Sequence, residues 1–372
     1  MRQLRFFFIC LTITLLSQGV SAYTFGQSSF SLKRFLDANP SQIPLIEQLS
    51  VRVRSQPVPL LATRPDTQKI AVVLHSDPSI AFNRAWVMTF KQRMKELSID
   101  FRLDVFHIDR SDGIYSTLNT FQKIEAANFD YMIVDRVDDH NRPLLERILK
   151  AGEIEVLVRG VIAPFSSWQM HPPLLYIGID RAKMMQSLAS YLVRMLDEGT
   201  VIDTLSVDDP YRNETGCQIF LNELYREGYQ VRHRYQLKDN AQAAQRIARQ
   251  VVKESQALGS SHFIFSCTPN LSEGVVRALS RQQQVLVSTN AWLGLKGLED
   301  AYQQGIIMVT VVGDLDYRAI AAAEAIKADI ESRLLPAVYM ESFSLLVQDM
   351  DEQTRNIIFQ QALPYSMSLW PR

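Results

Sequence analysis

Between Lys69 and Trp86 the sequence KIAVVLHSDPSIAFNRAW sets a short β-branched run before a polar turn and an apolar-periodic segment. The run 70–74 has the pattern of a strand buried on both faces of a parallel sheet. His75 to Ser79 carries turn and N-cap chemistry. Trp86, Phe90, Met94 and Leu97 then recur at three- and four-residue spacing, which predicts a helix ending near Leu97. The unit repeats along the chain, with further predicted strands at 100–106, 131–134, 154–158, 175–179, 204–207, 230–236, 262–266, 285–288 and 306–312. Short β-branched runs alternating with helical patterns predict parallel βαβ units. The expected fold is therefore α/β, two doubly wound parallel-sheet lobes with a cleft between them. A long alanine-rich helix is predicted from 317 to 334, a single strand over 338–347 and a closing helix over 352–362.

The chain of 372 residues is long enough for two cores. Its formal net charge of -1 argues against a nucleic-acid partner, which would call for a basic surface. Residues 1–22 read as a secretory signal peptide: Arg2 and Arg5 precede the apolar run 6–16, and Val20, Ser21 and Ala22 offer a cleavage site. Export to the periplasm as a protein that does not span the membrane is the expectation. It leaves Cys217 and Cys267, which an oxidising compartment allows to bridge. Cys267 also ends a predicted buried strand, where a free thiol packs as a small hydrophobe, and the free thiol is the default here. Residues 23–68 read as a docking arm with an amphipathic pattern followed by the extended stretch Gln56-Pro57-Val58-Pro59-Leu60.

Tyr176-Ile177-Gly178-Ile179-Asp180, turning from a strand into a helix, resembles type I periplasmic sugar-binding proteins and the LacI repressor core. The arm resembles the LuxP-type autoinducer-2-binding proteins more specifically, through Phe35-Leu36-Asp37, Pro40, Leu49-Ser50, Val53-Arg54 and the QPVPL stretch. Asp300-Ala301 and Ala323-Glu324-Ala325-Ile326 extend the likeness late in the chain. The resemblance implies three crossovers between the lobes. The first lobe would take 69–178 plus 313–335, and the second 179–312 plus 336–372. It also implies a small polar ligand and, as partner, a LuxQ-like inner-membrane sensor kinase or another membrane receptor. The family's ligand contacts have diverged: they fall on Pro78, Ile80, Asn83, Gly160, Gly216 and Gly313, and Trp292 alone is retained. Glycine at both arginine positions removes the charge that would meet an anionic borate, so the scaffold is expected to bind something else.

Strand ends supply the candidate ligand residues. Asp77, Ser79 and Asn83 ring the first helix, where one of the first two would serve as N-cap. Asp135, Arg136 and Arg159 end the third and fourth strands. Arg159 would either reach ligand in place of a lost arginine or pair with Asp135. Arg212 lies in the loop 209–213, Thr268 and Asn270 follow a second-lobe strand, and Trp292 offers an indole face for stacking, with Asn290 before it. Asp314 and Asp316 sit at a crossover, to bind ligand or cap the long helix. The six histidines show no metal-ligand spacing, and no nucleophile elbow or phosphate loop is present. No cofactor and no catalysis are expected. The leading expectation is a periplasmic sensory binding protein reporting to a sensor kinase, and the alternative is the substrate-binding protein of an ABC sugar transporter.

Overall fold

The structure, a computed structural model, describes residues 32–61, 66–108, 113–161, 163–208, 216–281, 286–293 and 297–370. The signal-peptide pattern and Arg212 lie outside them.

The first six-stranded sheet is built from β1 (Gln68–Leu74), β2 (Phe101–His107), β3 (Tyr131–Val134), β4 (Glu155–Arg159), β5 (Leu175–Ile179) and β11 (Val338–Glu341). Its order is β11-β5-β4-β3-β1-β2, all parallel. Ile70 to Leu74 in β1 are fully buried, as a central strand covered on both faces requires. Edge strand β2 alternates between partly buried and exposed instead. The second six-stranded sheet takes β6 (Val201–Val207), β7 (Val231–Leu237), β8 (His262–Ser266), β9 (Val287–Trp292), β10 (Ile307–Gly313) and β12 (Phe343–Val347). Its order is β12-β10-β9-β8-β6-β7, with β12 antiparallel to β10.

The predicted single strand at 338–347 is two strands. β11 completes the first sheet beside β5, the chain crosses at Ser342, and β12 completes the second. Residues 338–341 therefore belong with the first sheet, not with the second lobe as the sequence reading had it. Both halves alternate alike, so periodicity cannot reveal a change of sheet. The predicted strand at 285–288 begins at Val287 and runs on to Trp292, which makes Asn290 and Trp292 strand residues.

Helices α3 (Ala81–Glu96), α4 (Gly113–Ala126) and α5 (Arg142–Ala151) connect strands of the first sheet. On the second, α6 (Arg181–Met195) leads in, followed by α7 (Gln218–Arg226), α8 (Ala241–Leu258), α9 (Pro269–Leu279) and α10 (Leu298–Gln303). Three of these starts are written locally: Asp180, Asn240 and Thr268 accept the amides of Lys183, Ala243 and Leu271 at 3.0, 2.8 and 3.3 Å. Helix α11 (Leu315–Ile330) lies buried against the first sheet and α3, with its alanines 319–325 inside. Small side chains let it approach closely. Helix α12 (Glu352–Ala362) packs on the second lobe.

The arm forms α1 (Leu32–Ala38) and α2 (Gln42–Arg54), and α2 buries Ile46, Leu49 and Val53 against α11 and β11. Gln42 Oε1 accepts the Ala337 amide at 2.7 Å, and the Leu60 amide donates to Leu97 O at 2.7 Å. Among the described residues no helix is long and apolar enough to cross a membrane.

One buried ionic group lies at the amino end of β8. Asp203, fully buried, accepts two bonds from Arg232 at 3.1 and 2.8 Å, and His262 Nδ1 stands 3.5 Å away. Burial and then the Arg232 charge hold the His262 imidazole below its ordinary pKa, partly opposed by Asp203 and Glu254. Below about pH 6.5 the unfolded chain takes up a proton there that the folded chain refuses, so stability falls with pH. The melting temperature is expected to drop from pH 7 to pH 5, and His262→Asn should flatten that decline. An equally steep decline in the variant would assign it to other groups.

Candidate functional site

The chain passes between sheets at Ile179–Arg181, Gly313–Asp314 and Glu341–Phe343, each time from the carboxyl end of a strand. The three passages lie side by side: Glu341 pairs with Ile179, Gly313 with Phe343, and the Asp314 amide donates to Ser342 O at 3.0 Å. The carboxyl ends of β5, β10 and β11 thus converge on one hinge. This is the place where open α/β sheets hold ligands. A depression of about 660 Å³ at the amino ends of β6 and β7, lined by Glu198, Glu227 and Arg232, lies at the opposite end of that sheet.

Along the first edge stand Glu341, Arg159, Asp135 and His75, in the strand order β11, β4, β3, β1. Asp135 does not bond Arg159. Its carboxylate takes the His75 backbone amide at 3.1 and 3.2 Å and faces His75 Nδ1 at 2.7 Å. Asn141 Nδ2 lies 3.1 Å from His75 Nε2 and also donates to Arg136 O at 2.8 Å. That network assigns the imidazole as donor at Nδ1 and acceptor at Nε2. His75 and Asn141 were missed as neighbours of this edge, because nothing local links positions 66 residues apart. Arg136 pairs with Asp138 at 3.3 Å. Arg159 instead lays its guanidinium over the Trp86 ring, 4.3 Å from the centroid. Burial pushes its pKa down to about 10, with nearby Asp135 acting the other way, so it remains charged at neutral pH.

The loop after β1 is self-contained. Asp77 is exposed and accepts the Ser79 amide at 2.7 Å, closing an Asx turn. Neither residue caps α3, whose N-cap is Ile80 with no side-chain bond. The expected cap is corrected accordingly: the helix begins one residue too late for Ser79 and three too late for Asp77. Asn83 is buried and ties the loop down, donating to Asp77 O at 2.9 Å and to Ser76 Oγ at 3.0 Å.

On the second edge β8 and β9 pair through Ile264 and Thr289, and side chains continue the ladder beyond. Asn290 accepts the Ser266 amide at 2.8 Å and donates to Ser266 O at 3.0 Å. Trp292 Nε1 donates to the same oxygen at 2.7 Å. Asn290 is fully buried, whereas Trp292 is partly exposed. Thr268 caps α9 and donates to Asp239 at 2.6 Å, and Asn270 reaches Asp239 O at 3.4 Å. Cys217 and Cys267 are joined as a disulfide with Cα atoms 5.5 Å apart. The free-thiol expectation is thereby corrected: the fold carries the start of α7 to the end of β8, a proximity no local pattern encodes.

At the crossovers Asp314 accepts Arg54 from the arm at 2.6 Å, and Arg54 also reaches Ser342 Oγ at 3.0 Å. Asp316 is buried and bound to Thr89 Oγ1 at 3.0 Å, the Tyr365 and Ser366 amides at 2.8 Å, and Ser366 Oγ at 2.6 Å. Both aspartates are therefore engaged in fastening the hinge. Arg318, one turn into α11, pairs with Glu341.

No protein-family model matches the chain. Among solved structures it is similar to an ABC transporter periplasmic solute-binding protein from Actinobacillus succinogenes with bound D-allose. Identity is 17%, the match covers 78% of this chain and 100% of that one, and the TM-score is 0.63. A periplasmic ribose ABC transporter protein from Conexibacter woesei matches at 13% identity, over 80% and 97% of the two chains, with TM-score 0.62. A Caulobacter myo-inositol-binding protein matches at 12% identity, over 77% and 95%, with TM-score 0.60. The chain has the fold of type I periplasmic binding proteins.

Proposed function

We propose that this protein is an extracytoplasmic, non-catalytic solute-binding protein that closes its lobes on a small polar, polyhydroxylated ligand and delivers it to an ABC permease. One observation carries the reading: two carboxyl edges converge on a triple crossover, with a partly exposed indole on one and polar side chains on the other. Closure adds second-lobe contacts to ligand held by the first, which biases an open–closed equilibrium. The similar proteins, a ribose transporter component and binders of D-allose and myo-inositol, support a sugar-like ligand and transport. The periplasmic location rests on the signal-peptide pattern in residues 1–22.

Signalling to a sensor kinase keeps one observation in its favour. The arm is docked at the hinge through Arg54, where a receptor touching it would sense closure. Crosslinking in native membranes decides between the two: capture of a permease supports transport, and capture of a kinase overturns it.

Binding itself is tested by calorimetry with D-allose, D-ribose and myo-inositol, and closure by solution scattering. Trp292→Ala is expected to weaken the best ligand about 10- to 100-fold with an unchanged fold, since an indole supplies a large stacking area. Full affinity in the folded variant would remove Trp292 from the site.

A further inference from the structure

Arg159 is the least satisfied group on the first edge. Its Nε and Nη1 are buried with no hydrogen-bond partner among the described residues, and so is Nε1 of Trp86 beneath it. The carboxylates nearby are committed elsewhere. Asp135 is held by His75, Asp180 caps α6 through the Lys183 amide at 3.0 Å, and Glu341 pairs with Arg318. Arg318 stands near Arg159 and Arg181, whose charges, after burial itself, push its own pKa down to about 9.

One acceptor is also left over. Glu341 Oε1 is buried and unpartnered among the described residues, in space that exists because residue 313 is glycine: a Cβ there would collide with it. Among the described residues the edge thus offers unpartnered buried donors at Arg159 Nε and Nη1 and Trp86 Nε1, against one unpartnered buried acceptor, Glu341 Oε1. A neutral hydroxyl could complete a hydrogen bond but would leave the guanidinium with no bonded counter-ion. Asp135 acts on it only from nearby and is itself bonded to His75, and a buried charge without its ion pair is costly. A carboxylate meets both demands, with the two-pronged geometry arginine favours.

We propose that the cleft ligand is a polyhydroxylated carboxylic acid, its carboxylate on Arg159 and one of its hydroxyls donating to Glu341. The assignment rests on the solute-binding reading above and names its ligand class. A monoanion fits better than a phosphate dianion, because the Asp135 charge already bears on the same guanidinium.

Calorimetric titration with D-gluconate, D-glucuronate and D-galacturonate, beside D-glucose, D-galactose and D-glucose 6-phosphate, tests it. An acid is expected to bind about 100-fold more tightly than its neutral parent, the scale of a charge-assisted buried contact. Arg159→Gln should erase that preference, bringing the acid-to-neutral ratio to about one, and Arg159→Lys should retain part of it. Neutral sugars binding as tightly as acids, a preference for the phosphate, or an acid preference surviving in Arg159→Gln would overturn the acid assignment and leave solute binding standing. Silence from every compound would overturn both. Should Arg159→Gln fail to fold, the acid-to-neutral ratio of the native protein and of Arg159→Lys decides.

Discussion

Glu324→Leu is expected to cost about 3–5 kcal/mol of stability, the usual result of removing one partner from a buried ion pair. Glu324 Oε1 receives Arg93 Nε at 2.8 Å and lies 2.6 Å from Nη2, with side-chain exposures of 6% and 2%. The leucine would leave a guanidinium charged and without its counter-ion deep between α3 and α11. Arg93 also donates to Arg52 O and Ser55 O at 3.2 Å and to Tyr365 Oη at 3.4 Å, so arm and tail share the damage. A fall of roughly 10 °C in melting temperature is expected for a lobe of this size. The double variant Arg93→Leu with Glu324→Leu should regain much of the loss, because no orphan charge remains. Calorimetry of the three variants checks this, and a single-variant loss under about 1 kcal/mol would mean that Arg93 finds another counter-ion.

Removing the disulfide is expected to cost about 4 kcal/mol by loop-closure entropy, and measured losses from such bridges run from about 2 to 5. The bridge spans a sequence separation of 50 residues. It joins Cys217, at the start of α7, to Cys267, one residue beyond Ser266 on which Trp292 is fastened. The double variant Cys217→Ser with Cys267→Ser should therefore lose stability and, through a looser second edge, ligand affinity. Denaturant titration with and without reductant is the check. Reductant should bring the native protein to the variant's midpoint and leave the variant itself unmoved; an unshifted native protein would show that the bridge contributes nothing.

Much of the architecture was legible because it is written in short windows. The run 70–74 is buried on both faces in the sheet, and Asp180 turns strand into helix as its capping of Lys183 requires. The site was legible only as a set of strand ends. Which partner each side chain takes depends on chain neighbours far away: Asp135 meets His75, Asp314 meets Arg54, and Asp316 meets Ser366. Arg159 was correctly placed at a strand end, yet its choice of the Trp86 face over the Asp135 carboxylate is a tertiary outcome. The change of sheet at Ser342 was invisible for a related reason, since alternation reports burial but not which core does the burying.

The way α11 and β11 return to the first sheet sets how the chain can be built. A chain ending at Ile179 would lack both the edge strand beside β5 and the helix that covers α3. The first core is thus unfinished until residue 341 has been joined, by which point all but the last strand of the second has been made. Neither lobe is one continuous stretch of chain, and no single cut in the gene releases one whole. Such long-range closure is slow, and a nascent chain lacks the complete first sheet until nearly all of its length has been made.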